Sequence, residues 1–126
     1  MKFQPDSLAG TNTISRHEPG AVWVNGTRWT ESLLLPWRGA VQGWQPRSPD
    51  ELTALHFEAV LALRPELVIF GSGARLRFVS AALYRALIDA RVGLETMDTP
   101  AACRTYNVLA SEGRSVVAAL LLMRDE

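Results

Sequence analysis

The chain has 126 residues, 48% hydrophobic and 21% charged, the composition of a folded globular domain and not of a disordered segment. Thirteen basic side chains balance thirteen acidic ones, so the chain lacks the basic excess with which general nucleic-acid binders neutralise phosphates; only Arg75, Arg77, Arg85 and Arg91 crowd together in sequence. One cysteine and two histidines exclude an intrachain disulfide and a zinc cluster, and they fit a reducing cytoplasm.

Met1 to Asp6 lack the apolar core of a signal peptide, and no apolar run reaches the roughly 18 residues that span a bilayer. The expectation is one domain over residues 1–126, cytoplasmic, with no membrane insertion, metal or cofactor.

In chain order, Ala21-Val-Trp-Val24 runs into Asn25-Gly26 and then Thr27-Arg-Trp-Thr-Glu-Ser32. Asn-Gly between β-prone runs predicts a hairpin, because a type I′ turn needs positive φ at both central residues. Leu33 to Pro36 and Val41 to Trp44 read as further short strands. Ser48-Pro49-Asp50-Glu51 announces a helix, with Ser48 as cap and Glu51 completing a capping box. Its expected apolar face is Leu52, Leu55, Ala59, Val60 and Leu63, and Pro65 ends it.

Leu67 to Phe70 is a short apolar strand closed by Gly71-Ser72-Gly73. A second helix is expected to start from Ser80 as cap, to pack through Leu83, Leu87 and Ala90, and to stop at Gly93 with Arg91 near its negative end. Leu94 to Asp98 is the next strand. Thr99 is expected to cap the third helix, with Pro100 in the first position and Gly113 at the end. Val116 to Met123 is the last strand, assigned so despite helix-favouring Ala118 and Ala119 because it is short, follows a glycine and has no polar face. Apolar strands between amphipathic helices predict an α/β fold: three layers, a small, mostly parallel central sheet with flanking helices, and an antiparallel N-terminal β ribbon.

Few residues suggest chemistry. The Gly71-Ser72-Gly73 turn follows a buried strand, where open α/β sheets place ligands, and free N–H groups there with Arg75 or Arg77 suit an anion; Leu76 in the third glycine position breaks the dinucleotide pattern. The alternative is a turn requiring positive φ. Cys103 falls in the first turns of the third helix, yet nothing in sequence brings His17 or His56 to it, and a buried structural cysteine is the plainer reading. Tyr106 is expected in the core with its hydroxyl satisfied, and Asn107 bonded to a neighbouring loop. Trp23, Trp29, Trp37 and Trp44 all fall in roughly the N-terminal third; Trp37 and Trp44 flank the loop Arg38 to Gly43, and an exposed aromatic beside Arg38 has the composition of an interaction hot spot. Paired carboxylates, a Walker-type loop and a Ser/His/Asp grouping are all lacking.

Val22-Trp-Val-Asn-Gly26, Val68-Ile-Phe-Gly-Ser-Gly73 and Met97-Asp-Thr-Pro-Ala-Ala-Cys-Arg-Thr-Tyr-Asn-Val-Leu-Ala-Ser-Glu-Gly-Arg114 together resemble one family over nearly the whole chain. It is the uncharacterised-domain family that includes the mitochondrial respiratory complex I assembly factor 3 and the adipogenesis-associated domain protein. The resemblance implies a three-layer α/β domain and marks Gly71, Gly73, Thr105, Tyr106, Asn107, Glu112, Gly113 and Arg114, none as an established catalytic residue. The start of the chain shows no mitochondrial targeting extension, which removes direct support for the organelle role but not for a bacterial counterpart.

Two functions follow as expectations. The first is a non-enzymatic interaction or assembly domain with a protein partner, using Trp37, Arg38 and Trp44; homodimerisation stays open. The alternative is an anionic-ligand domain or enzyme using Gly71, Ser72, Gly73, Arg75, Thr99 and Asn107. Nucleic acid is not expected as a partner.

Overall fold

The structure, a computed structural model, describes residues 10–122. Its elements in chain order are β1 (Ile14–Glu18), β2 (Ala21–Val24), β3 (Thr27–Trp29), β4 (Leu33–Pro36), β5 (Gln42–Gly43), α1 (Ala54–Leu61), β6 (Leu67–Gly71), α2 (Arg85–Asp89), β7 (Gly93–Met97), α3 (Thr99–Ser111) and β8 (Val116–Leu120). Strands β1-β2-β3 form an antiparallel ribbon, and the central sheet has the order β5-β4-β8-β6-β7. Within it β8, β6 and β7 run parallel, while β4 pairs antiparallel with β8 and with β5. The α/β class, the separate ribbon and the flanking helices are as the sequence indicates.

Alternation along the central strands sorts the core into two halves. Leu33, Leu35, Ile69, Val116, Ala118 and Leu120 face α3 and the ribbon, whose Ile14, Val22 and Val24 complete that half. Leu34, Val68, Phe70, Val117, Ala119 and Leu121 face the opposite layer, with Phe57, Val60 and Leu87 from α1 and α2. A strand buried on both faces has no polar period, which is why β8 reads as unbroken apolar sequence. The alanines of β8 let a layer close in from each side of this central strand. Met123 lies outside the described residues.

The Asn25-Gly26 hairpin forms as expected: φ is +53° at Asn25 and +87° at Gly26, both positive as the type I′ turn demands. The short strands expected at Leu33 and Val41 form, as Leu33–Pro36 and Gln42–Gly43, and both belong to the central sheet. Other local expectations need correction. The segment after Ser48 makes only a 3-10 turn over Pro49–Glu51, with no bond from the Ser48 side chain; Glu51 Oε1 instead accepts from the Arg47 amide at 2.9 Å. The helix restarts at Ala54 with Thr53 as N-cap, where His56 Nδ1 accepts from the Thr53 amide at 3.0 Å. Leu52 and Val60 are buried as expected, but Phe57 takes the place of Leu55, which is 72% exposed. Ser80 does accept from the Ala82 amide, but the turn it opens is 3-10, and α2 is confined to Arg85–Asp89. The chain leaves α2 through Arg91 at φ +61°, and Gly93 is already the first residue of β7.

Candidate functional site

The end of β6 and the start of α3 meet at very short range. A Cβ on Gly71 would lie 2.9 Å from Thr99 Oγ1, 3.0 Å from Leu120 Cδ2 and 3.1 Å from Ala102 Cβ. Glycine is there because the helix and β8 leave no room for a side chain. The expected cap moves by one residue: Asp98 is the N-cap, its Oδ1 accepting from the Ala101 amide at 2.8 Å, and Thr99 is the first helical residue. Its hydroxyl is thereby released. It donates to the Leu121 carbonyl at 2.7 Å and accepts from the Gly73 amide at 2.9 Å, tying the loop, α3 and the exit of β8 together.

Related bonds occupy several of the donors that an anion would use at this turn. The Ser72 amide binds the Met97 carbonyl at 2.9 Å, the Thr99 amide binds the Gly73 carbonyl at 2.8 Å, and the Gly73 amide binds Thr99. Pro100 has no N–H, and the Asp98 carboxylate already sits on the first turn of α3. Ser72 Oγ donates to the Arg75 carbonyl at 2.6 Å and accepts from the Arg77 amide at 3.0 Å. Arg77 pairs with Asp50 at 2.8 Å, and Arg75 is exposed. The expected free N–H groups at Gly71-Ser72-Gly73 are thus corrected: the amides of Ser72 and Gly73 are bonded inside the protein.

Beside this junction is a cavity of 460 Å³. It is walled by residues 17–20 of the β1–β2 turn with Val22, by Gly73 and Ala74, by Thr99, Pro100 and Cys103 of α3, and by Leu121 and Leu122. His17 and Cys103, which no sequence signal links, therefore face one space, with no thiol–imidazole hydrogen bond among the described residues. Cys103 is buried, as expected. Burial pushes its thiol up to about 12, against a small lowering by Arg104, so it stays neutral and is a poor nucleophile.

The other end of α3 is closed by polar bonds. Tyr106 is fully buried; its hydroxyl donates to the Asn12 carbonyl at 2.8 Å and lies 3.2 Å from that of Pro36. Burial raises its ionisation above the ordinary phenol range. The Asn107 amide binds both backbone groups of Ile14, at 3.0 and 2.8 Å, as a neighbouring strand would. Asn12 in turn bonds Pro36 and Gly39 and receives Asn25. Past α3, Arg114 Nε meets Glu66 Oε2 at 3.0 Å, and the Ser115 amide meets Oε1 at 2.9 Å.

The tryptophans separate. Trp44 is 4% exposed, packed edge-on against Phe57 and Phe70 at 5.9 and 6.3 Å, with its N–H on the His56 carbonyl; its expected exposure is corrected. Its β5 neighbour Gly43 is exposed, and no sequence signal separates the two. Trp37 is half-buried and donates to the Ala110 carbonyl at 3.1 Å, while the exposed Arg38 guanidinium lies 4.4 Å over its ring. Trp23, opposite Arg16 and Arg28 in register, carries their guanidinium groups at 4.5 and 5.6 Å.

A family model described as "Protein of unknown function (DUF498/DUF598)" matches residues 14–121, the whole of both sheets and all three helices. This chain belongs to that family. It is 31% identical over 122 residues to the zebrafish (Danio rerio) protein named NADH dehydrogenase [ubiquinone] 1 alpha subcomplex assembly factor 3, covering 94% of this chain and 68% of that one. The bovine and human proteins of the same name are 37% and 33% identical, over 78% and 86% of this chain, but the chain spans only 54% and 59% of their length. An uncharacterised protein of Rhodobacter capsulatus is 36% identical over 98% of this chain and 94% of its own. The crystal structure of a Bordetella parapertussis protein superposes with a TM-score of 0.86 at 36% identity, over 92% of this chain and 98% of that one. Several of the residues that carried the resemblance in sequence have architectural work here: Gly71 permits contact, Tyr106 and Asn107 hold the ribbon, and Arg114 joins two turns. Among the described residues no helix is long and apolar enough to cross a membrane.

Proposed function

We propose that this chain is a non-enzymatic, assembly-factor-like domain that holds a protein partner during construction of a larger complex. The observation that carries this reading is the likeness to proteins named as assembly factors for NADH dehydrogenase, at 31% identity over 94% of the chain; a subunit of a respiratory NADH dehydrogenase is the partner it suggests. The interaction surface in this reading is the outer side of the N-terminal part. Trp37 is anchored by its N–H and carries Arg38 on its face, and Trp23 is flanked by Arg16 and Arg28. Aromatic rings pre-ordered beside arginine lose little entropy on binding, the property that enriches both residue types at hot spots.

The test is photo-crosslinking in the host cell, with the reactive side chain placed at Arg38 or Arg28, and at exposed Glu58 on the opposite layer as control. Adducts to NADH dehydrogenase subunits from the first two sites and not from Glu58 are expected, together with less assembled enzyme when the gene is deleted. Equal labelling from all three sites, with normal enzyme levels in the deletion, overturns the reading.

A further inference from the structure

The cavity beside α3 has no part in the assembly reading, and its chemistry is specific enough to name an occupant. Its 460 Å³ lies within the range of about 300–1,000 Å³ usual for small-molecule sites. It opens where the carboxyl ends of β6 and β8 meet α3, the side on which open α/β sheets bind ligands. Pro19, Val22, Pro100, Leu121 and Leu122 make most of the wall apolar, and among the described residues the wall carries no arginine or lysine.

Most of its polar side chains are committed. The Thr99 hydroxyl has a donor and an acceptor partner, and Glu18 pairs with Arg16 at 3.1 Å. The His17 ring makes no hydrogen bond among the described residues, so a neutral imidazole there has one donor and one acceptor to offer. The Cys103 thiol, held protonated by burial, adds a soft neutral surface. Among the described residues an anion finds no arginine or lysine on the wall and meets the carboxylate of Glu18, and the Gly73 amide is already bonded.

We infer that this cavity is a binding site for a small, uncharged, mainly apolar molecule bearing one hydrogen-bonding group, a compact phenol or aromatic alcohol, with His17 as the recognition residue. The wall's hydrocarbon supplies affinity through buried area, and the single imidazole fixes the orientation of the one polar group. Leaving that group unpaired in an apolar wall costs binding, which is how one histidine selects a phenol over a plain hydrocarbon.

The full chain is titrated by NMR with 4-methylphenol, toluene, 4-methylbenzoate and inorganic phosphate, following the amides of Gly20, Ala74, Cys103 and Leu122. The expected order is 4-methylphenol first and toluene second, with 4-methylbenzoate at least roughly tenfold weaker than the phenol and phosphate without effect on these amides. His17→Phe is expected to bring the phenol down to the affinity of toluene and leave toluene unchanged, while His17→Gln retains part of the preference. Phosphate or 4-methylbenzoate binding as tightly as the phenol would make this an anion site and sink the inference. So would unmoved amides with every aromatic probe at its solubility limit, or a phenol preference that survives in a folded His17→Phe protein.

Discussion

The two ends of α3 lie in the same layer of the same core, and they are finished in opposite ways. At the C-terminal end Tyr106 and Asn107 bond the backbone of Asn12 and Ile14, and Trp37 bonds the Ala110 carbonyl. The N-terminal end touches β6 and β8 through Gly71 and Thr99, but beside that contact the packing opens into a cavity. Interiors are close-packed because voids forfeit contact energy. Filling one end while leaving space at the other separates architecture from room for a guest along a single helix.

If the C-terminal end is architecture, removing its largest buried side chain has the largest effect. Tyr106→Ala is expected to lower stability by about 3–5 kcal/mol, read as a shifted midpoint at unchanged slope in urea unfolding. Tyr106→Phe retains the ring but leaves the Asn12 carbonyl without its donor, at a cost of about 1–3 kcal/mol. A Tyr106→Ala loss below that of Tyr106→Phe would mean that this end is not tightly packed, and the contrast would fail.

At the N-terminal end the closest approach predicts a smaller loss. Gly71→Ala pushes a methyl against Thr99 Oγ1, Leu120 and Ala102 at 2.9 to 3.1 Å, expected to cost about 1–3 kcal/mol. Thr99→Ala removes the tightest of these neighbours but strands the Gly73 amide and the Leu121 carbonyl. In a double-mutant cycle the two losses should add to less than their sum, because the first methyl clashes mainly with what the second substitution deletes. Strict additivity would place the strain elsewhere than at the Thr99 hydroxyl.

Much of the fold is legible in sequence where one local signal decides. Asn25-Gly26 forces its turn, the apolar run of β8 has no partner but a sheet interior, and Gly113 ends α3 at φ +83°. Errors arose where two residues compete for one role. Asp98 and Thr99 cap almost equally well in isolation, and the choice fell to Asp98 because two backbone groups elsewhere need the threonine hydroxyl. Thr53 gives a weaker sequence signal than Ser48 because its capping partner is His56 in place of the usual Glu or Gln. The cavity was invisible for a different reason. Residues 17–22, 73–74, 99–103 and 121–122 converge only once both sheets have assembled, so no window of sequence contains its pattern.

Cys103 reports on that cavity through pH. Its thiol is pushed from an ordinary 9.0 to about 12 by burial, so the folded state holds the proton more tightly than the unfolded chain. The stabilisation is fully present below 9.0 and is lost as pH rises from there toward about 12, at no more than about 1.4 kcal/mol per pH unit. Unfolding free energies of wild type and Cys103→Ala should therefore converge as pH climbs through that window. A constant difference would mean that water already reaches the thiol, and that the cavity is wetter than its walls imply.

The smallest effect lies just past the C-terminal end of α3, where bonds from the Ser115 amide and then from Arg114 hold the Glu66 carboxyl below its ordinary 4.5. A lowered value stabilises the fold above 4.5 and ceases to do so as pH falls through the folded value. Glu66→Gln is expected to melt slightly below wild type near neutral pH and together with it in acid. Both charged side chains are partly exposed, so added salt should shrink the neutral-pH gap. Glutamine still offers an oxygen to the Ser115 amide, which sets the effect below that of a full truncation. A gap that persists in acid would transfer the role of Glu66 from its charge to its packing, and would extend the tightly finished end of α3 beyond Gly113 to the turn that opens β6.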